Sequence, residues 1–188
     1  MTLYLIRHGK TVANEQHLYC GSTDLPLSAA GREELTRCRY DIQTARFLTS
    51  GMQRTNETLR LLFGDVPYTA ESRFREVDFG IFEMRGYDEL KDDPAYQAWL
   101  SGENEVNVPP CGESGAQMQH RVLEALAELQ EDTCIITHGG VIAAIMAAYF
   151  PEEGKTRYQW QPEPGCGYVI RQGRYDRLPI DKRENDLQ

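Results

Sequence analysis

Three short apolar runs punctuate the chain: TLYLI (2–6), ARFLTS (45–50) and TCIIT (133–137), each closed by polar or turn-forming residues. Runs of this length predict strands buried on both faces of a parallel sheet. Between them the apolar spacing becomes helical. SAAGREELTRCRYDI (28–42) opens at an N-cap candidate, Ser28, and sets Leu35, Cys38 and Ile42 along one face. RTNETLRLLFG (54–64) stops at Gly64, and AQMQHRVLEALAELQ (116–130) spaces Met118, Val122, Leu126 and Leu129 as a helix does. The apolar stretch GGVIAAIMAAYF (139–150) continues as a helix after the third run, and RFREV (73–77), GYVIRQ (167–172) and RYDRLP (174–179) read as further strands.

This alternation predicts an α/β fold, a three-layer αβα sandwich around a mostly parallel sheet. The 188 residues fit a single domain, 1–188. Residues 79–115 break the pattern: acidic, aromatic and rich in Gly and Pro, they predict a lid-like insertion with a short helix near 87–100. The tail, about 179–188, reads as solvated and loose.

Charge narrows the partners. With 29 acidic against 20 basic residues the net charge is −9, which disfavours nucleic acid and anionic membrane surfaces. No window approaches a membrane span, and the short apolar start broken by Arg7 is not a signal peptide. Five cysteines without CxxC spacing read as reduced thiols, and a cytoplasmic protein is expected.

Candidate chemistry concentrates where strands end, because ligands in open α/β sheets bind beyond the carboxyl ends. Arg7 and His8 follow the first run, Arg54 follows the second, and His138 follows the third. Gly9, Gly139 and Gly140 come directly after the histidines, where backbone must turn or approach a ligand. The helix opening at Gly139 would turn its free N–H groups and positive dipole end toward the same place. Paired arginines grip phosphate oxygens with parallel charge-assisted bonds, and a neutral imidazole is a competent nucleophile toward phosphorus. His8 is therefore the expected nucleophile and His138 a second oxygen clamp.

The leaving alcohol needs a proton, for which REVDFGIFE (75–83) offers Glu76, Asp78 and Glu83. Glu76, at the expected end of the RFREV strand, is the first choice; Glu83 could instead cap or orient. His17 and His120 read as ordinary surface or helix residues. A metal site on the four histidines fits no ligand spacing and would be repelled by the arginines, so no metal and no cofactor are expected.

LIRHGKT (5–11) carries an RHG signature that resembles the histidine phosphatase superfamily, the phosphoglycerate mutase-like proteins. The likeness runs through Asn14, YCGSTDLPLSAAGREE (19–34), TSGMQRTNETL (49–59), REVDFGIFE, PPCGESG (109–115) and THGGVIAAI (137–145). The resemblance implies phosphorylation of His8, a phosphate pocket completed by Arg7, Arg54 and His138, and Glu76 as proton donor. It adds Asn14, Gly21, Ser22 and Gly139 as phosphate or substrate contacts. It also implies a metal-independent phosphomonoesterase acting on a small phosphorylated metabolite, most similar to α-ribazole phosphatases. Where the family usually reads WEG, this chain has Phe82-Glu83-Met84, which alters the lid. Two alternatives stand beside that reading: a phosphoglycerate mutase, disfavoured because Arg85 and Lys91 are the insertion's only basic residues, and a non-catalytic phosphate-binding protein.

Overall fold

The computed structural model describes residues 1–42, 46–102 and 105–179. Six strands form one sheet in the order β3-β2-β4-β1-β5-β6. They are β1 (Thr2–Arg7), β2 (Arg46–Thr49), β3 (Thr69–Ala70), β4 (Thr133–Thr137), β5 (Gly167–Arg171) and β6 (Arg174–Leu178). The first four in that order run parallel, and β5 and β6 add an antiparallel hairpin beside β1.

The buried strands divide their side chains between two apolar cores by the period of two. Leu3, Leu5, Leu48, Ile135, Tyr168 and Ile170 face one core, packed by α6 (Gly115–Ala127) and α7 (Gly139–Tyr149). Ile6, Cys134, Ile136 and Val169 face the other, where Leu59 of α3 (Gln53–Phe63) meets them. Helices on both faces of a mostly parallel sheet make the three-layer sandwich. Helix α7 is the most deeply placed: Val141 through Met146 are all fully buried, which accounts for its nearly continuous apolar sequence.

Several local expectations change. The helix opening at Ser28 is capped by that hydroxyl, which accepts from Gly31 N–H at 3.0 Å, but α2 (Ala29–Thr36) ends well before Ile42. Ala45 and the tail from residue 180 lie outside the described residues. The RFREV segment is not a strand: β3 pairs only Thr69 and Ala70 with Leu48 and Thr49, and Ser72–Phe74 forms a 3-10 turn. Because β2 stops at Thr49, residues beyond Ala70 have no strand edge to join. The carbonyls of Arg73, Arg75 and Glu76 accept instead from the Arg121 guanidinium on α6.

Residues 79–115 leave and rejoin the sandwich at one point, where Ile81 N–H donates to Pro110 O at 3.0 Å and Glu113 N–H to Asp78 O at 2.8 Å. Between these stitches the expected single helix is two, α4 (Tyr87–Leu90) and α5 (Pro94–Leu100). Pro94 cannot continue a helix but starts one well, and the Asp93 carboxylate caps α5 by accepting from Ala95 N–H at 2.9 Å. The segment has its own small core of Phe82, Leu90 and Tyr96, with Tyr19, Phe79 and Trp99 against it. Short helices α1 (Val12–Glu15) and α8 (Arg157–Trp160) complete the fold. No helix among the described residues is long and apolar enough to cross a membrane.

Candidate active site

Strand register assembles the site. Arg7 on β1 stands opposite Thr137 on β4, so His8 and His138 emerge from adjacent strand ends. His8 N–H donates to Thr137 O at 2.9 Å, and the two imidazole rings lie edge to face with centroids 5.1 Å apart. From the other side β2 delivers Ser50 and, at the second position of α3, Arg54. All four polar side chains are buried: His8 is 5% exposed, Arg54 1%, and Ser50 and His138 not at all.

His8 Nδ1 lies 2.6 Å from Gly9 O. A carbonyl can only accept, so Nδ1 carries the proton and Nε2 keeps its lone pair. Burial first, then the positive charges of Arg54 and Arg7, hold the His8 pKa well below the ordinary imidazole range, outweighing the opposing Gly9 hydrogen bond. The ring is a neutral base with one free nitrogen. Gly9 is fixed in turn by its N–H donating to Thr58 Oγ1 at 3.0 Å, and a Cβ there would strike Leu35.

The Arg7 guanidinium donates to Pro162 O at 2.8 Å and lies over Gly139, where a Cβ would come 3.1 Å from its Cζ. Its Nε is buried without a partner among the described residues. A buried guanidinium N–H left unpaired is costly, and an anion oxygen satisfies it. Arg54 Nε donates to His138 Nδ1 at 3.3 Å, and its two terminal nitrogens donate to Thr23 O and Gly21 O at 2.8 Å each.

His138, expected as a second oxygen clamp, has both ring nitrogens bonded within the protein. With Nδ1 accepting from Arg54, the ring proton sits on Nε2 and donates to Ser50 Oγ at 2.9 Å. Ser50 then lies 3.0 Å from Thr55 Oγ1, which donates to Met52 O at 2.8 Å. Both His138 nitrogens have protein partners, so as placed the ring buttresses Arg54. Burial and Arg54, then His8 and Arg7, push its pKa well down. Ser50 and Thr55 carry no sequence signal beyond their place after a strand, since buried hydroxyls look like any others in sequence.

Of the three acidic candidates, Glu76 is the one that meets the N-terminal turn of α7 and lines the cavity next to it. Its Oε2 accepts from Gly140 N–H at 2.8 Å, within the first turn of α7, and a Cβ on Gly140 would fall 2.4 Å from Oε1. Asp78 accepts from Ser22 Oγ and Gly80 N–H. Glu83 accepts from the backbone of Gly21, Ser22 and Thr23. Gly21 and Ser22, expected as substrate contacts, donate their N–H groups to Glu83, and Gly21 is glycine because a Cβ would fall 1.7 Å from Val77 O. Asn14 gives its side-chain oxygen to Thr11 N–H and Oγ1 in a capping box, leaving only its amide nitrogen for a ligand.

Beside Glu76 opens a cavity of about 310 Å³, walled by Tyr19, Phe79, Trp99 and Tyr158 with Gly140 at its inner edge. Its one guanidinium, Arg157, is paired with Glu105 of the insertion. Arg121, which no motif or spacing singles out, forms a two-bond pair with Glu113 while holding the backbone that carries Glu76. His17 and His120 are exposed and outside the pocket. Cys20 lies near Arg54, but burial pushes its thiol pKa up, away from a reactive thiolate.

A buried and a half-buried guanidinium, a neutral imidazole with a free lone pair and a helix N-terminus gather at the carboxyl edge of the sheet, a set of groups able to hold an oxyanion. The histidine phosphatase superfamily (branch 1) matches residues 3–178, and the chain belongs to that family. An adenosylcobalamin/alpha-ribazole phosphatase of Salmonella typhimurium is 30% identical over 183 residues, spanning 90% of each chain. A probable phosphoglycerate mutase GpmB of an Enterobacter species is 27% identical over 195 residues, covering 90% of this chain and 91% of its own. Among solved structures, an Escherichia coli protein with a provisional alpha-ribazole-5'-P phosphatase assignment superposes with a TM-score of 0.82 at 27% identity, covering 94% of both chains.

Proposed function

We propose that this chain is a phosphomonoesterase that hydrolyses a small phosphorylated metabolite through a phosphohistidine on His8, without a metal. The observation that carries the reading is the Nδ1–H bond from His8 to Gly9 O, which leaves Nε2 unprotonated in a buried, cationic setting. In the first half-reaction Nε2 attacks phosphorus in line, the P–O ester bond breaks, and the Glu76 carboxyl gives its proton to the leaving alcohol. In the second, water attacks the phosphohistidine, the P–N bond breaks, and Glu76 takes a proton from the water. Arg7 and Arg54 hold the equatorial oxygens, where charge stabilisation and positioning supply most of the catalysis.

The cavity beside Glu76 would receive the leaving alcohol. A mutase must also hold a substrate carboxylate, and the guanidinium that lines the cavity, Arg157, is already paired with Glu105, while the insertion's Arg85 and Lys91 are paired with Asp93 and Asp88. That arrangement supports hydrolysis over phosphoglycerate mutation.

Release of p-nitrophenol from p-nitrophenyl phosphate and turnover of 3-phosphoglycerate, each with and without EDTA, separate the readings. Chelator-resistant hydrolysis with an acid-labile phosphoenzyme that His8→Ala abolishes is the expected result; wild-type rates in that variant refute the nucleophile. α-Ribazole phosphate, named by the relatives, is the first natural ester to include in the substrate panel.

A further inference from the structure

Glu83 stands outside the pocket, yet its carboxylate organises part of it. Oε1 accepts from Gly21 N–H at 2.9 Å, Ser22 N–H at 2.9 Å and Phe79 N–H at 3.1 Å. Oε2 accepts from Thr23 N–H at 3.2 Å and Thr23 Oγ1 at 2.6 Å. Three successive backbone N–H groups of one loop thus converge on a single carboxylate, an anion seated in a backbone nest.

The same loop turns its carbonyls the other way. Gly21 O and Thr23 O accept from the two terminal nitrogens of Arg54. A guanidinium carries five N–H bonds, and with Nε spent on His138 and one from each terminal nitrogen spent on this loop, two remain for a ligand. Their direction is set by where the two carbonyls stand, which follows from how the loop wraps Glu83. The loop and Glu83 are 62 residues apart in sequence, and Gly21 permits the close approach because it has no side chain.

We infer that Glu83 is a positioning residue for phosphate capture: through the 21–23 loop it aims the two free N–H bonds of Arg54 at the phosphoryl oxygens. This rests on the proposed role of Arg54 but not on catalysis itself, so anion binding can test it alone. Glu83→Gln keeps the shape while placing an amide among N–H donors, which leaves several of them unpaired.

The experiment is a double-mutant cycle read by calorimetric binding of inorganic phosphate. Glu83→Gln is expected to weaken phosphate binding about tenfold in the Arg54 background and by less than twofold in Arg54→Gln, because the effect travels through Arg54. Equal losses in both backgrounds, or no loss in the first, overturn the inference. If Glu83→Gln does not fold, Glu83→Asp, which keeps the charge but pulls it back by one methylene, is read the same way. On turnover of p-nitrophenyl phosphate the variant should lower kcat/KM while leaving the pH profile in place. Absence of a phosphoenzyme in the wild-type protein would defeat the phosphatase reading and leave the binding cycle intact.

Discussion

The carboxylate of Glu76 and the backbone of Gly140 touch across 64 residues of sequence: Oε2 accepts from the Gly140 N–H at 2.8 Å, with no room for a methyl group between them. The contact seats the candidate proton donor on the N-terminal turn of α7. Gly140→Ala should therefore push the carboxylate off its bonds to Gly140 N–H and Val77 N–H without breaking the helix. Within a helix the change from Gly to Ala otherwise stabilises by about 0.5–1 kcal/mol. The expected outcome is a melting temperature within a few degrees of wild type and a loss of kcat of roughly tenfold on alkyl phosphates.

Glu76→Gln removes the proton while keeping the shape. Esters with poor leaving groups should slow by roughly 100-fold or more, and p-nitrophenyl phosphate, whose leaving group needs little help, much less. Equal losses on both would move the acid role away from Glu76.

Arg121 holds three carbonyls of the loop that ends in Glu76, at 2.7, 2.8 and 3.2 Å, while paired with Glu113. Lysine cannot reproduce that fork. Arg121→Lys should cost about 2 kcal/mol by urea unfolding, a fall of roughly 4–8 °C in Tm, together with reduced kcat as the Glu76 loop loosens.

His8 and His138 are both held neutral, with folded pKa values below that of an unfolded imidazole, near 6.5. Below that pH the unfolded chain binds protons that the folded chain does not, so stability falls as pH drops through 6.5 and is fully present above it. Each histidine contributes a slope of up to about 1.4 kcal/mol per pH unit over that window. His8→Gln should therefore unfold in urea with a shallower pH dependence than wild type between pH 6.5 and 5. An unchanged slope would show that His8 is not a buried neutral group.

Much of the site is legible in the order of residues alone. Arg7, His8 and His138 announce themselves because they close apolar runs and both histidines precede glycine, and strand ends in a parallel sheet share one edge. What the RFREV segment becomes is not legible there. Its alternation suits a strand, but strand formation needs a neighbour of sufficient length, and β2 ends at Thr49. The insertion reads as one helix near 87–100, yet Pro94 divides it, a local signal that the acidic and aromatic bulk of the segment obscures.

The chain's order of residues determined the periodicities, the glycine positions and the chemical types available at the sheet edge, since these depend on local sterics and on which side chains carry charge. Tertiary structure alone decided which carboxylate meets α7, that His138 lies between Arg54 and a pair of buried hydroxyls, and that Glu83 accepts from the loop whose carbonyls bond Arg54. Hydrogen bonds of that kind join residues tens of positions apart, and their geometry exists only once strand register and close packing have set both partners within 3 Å.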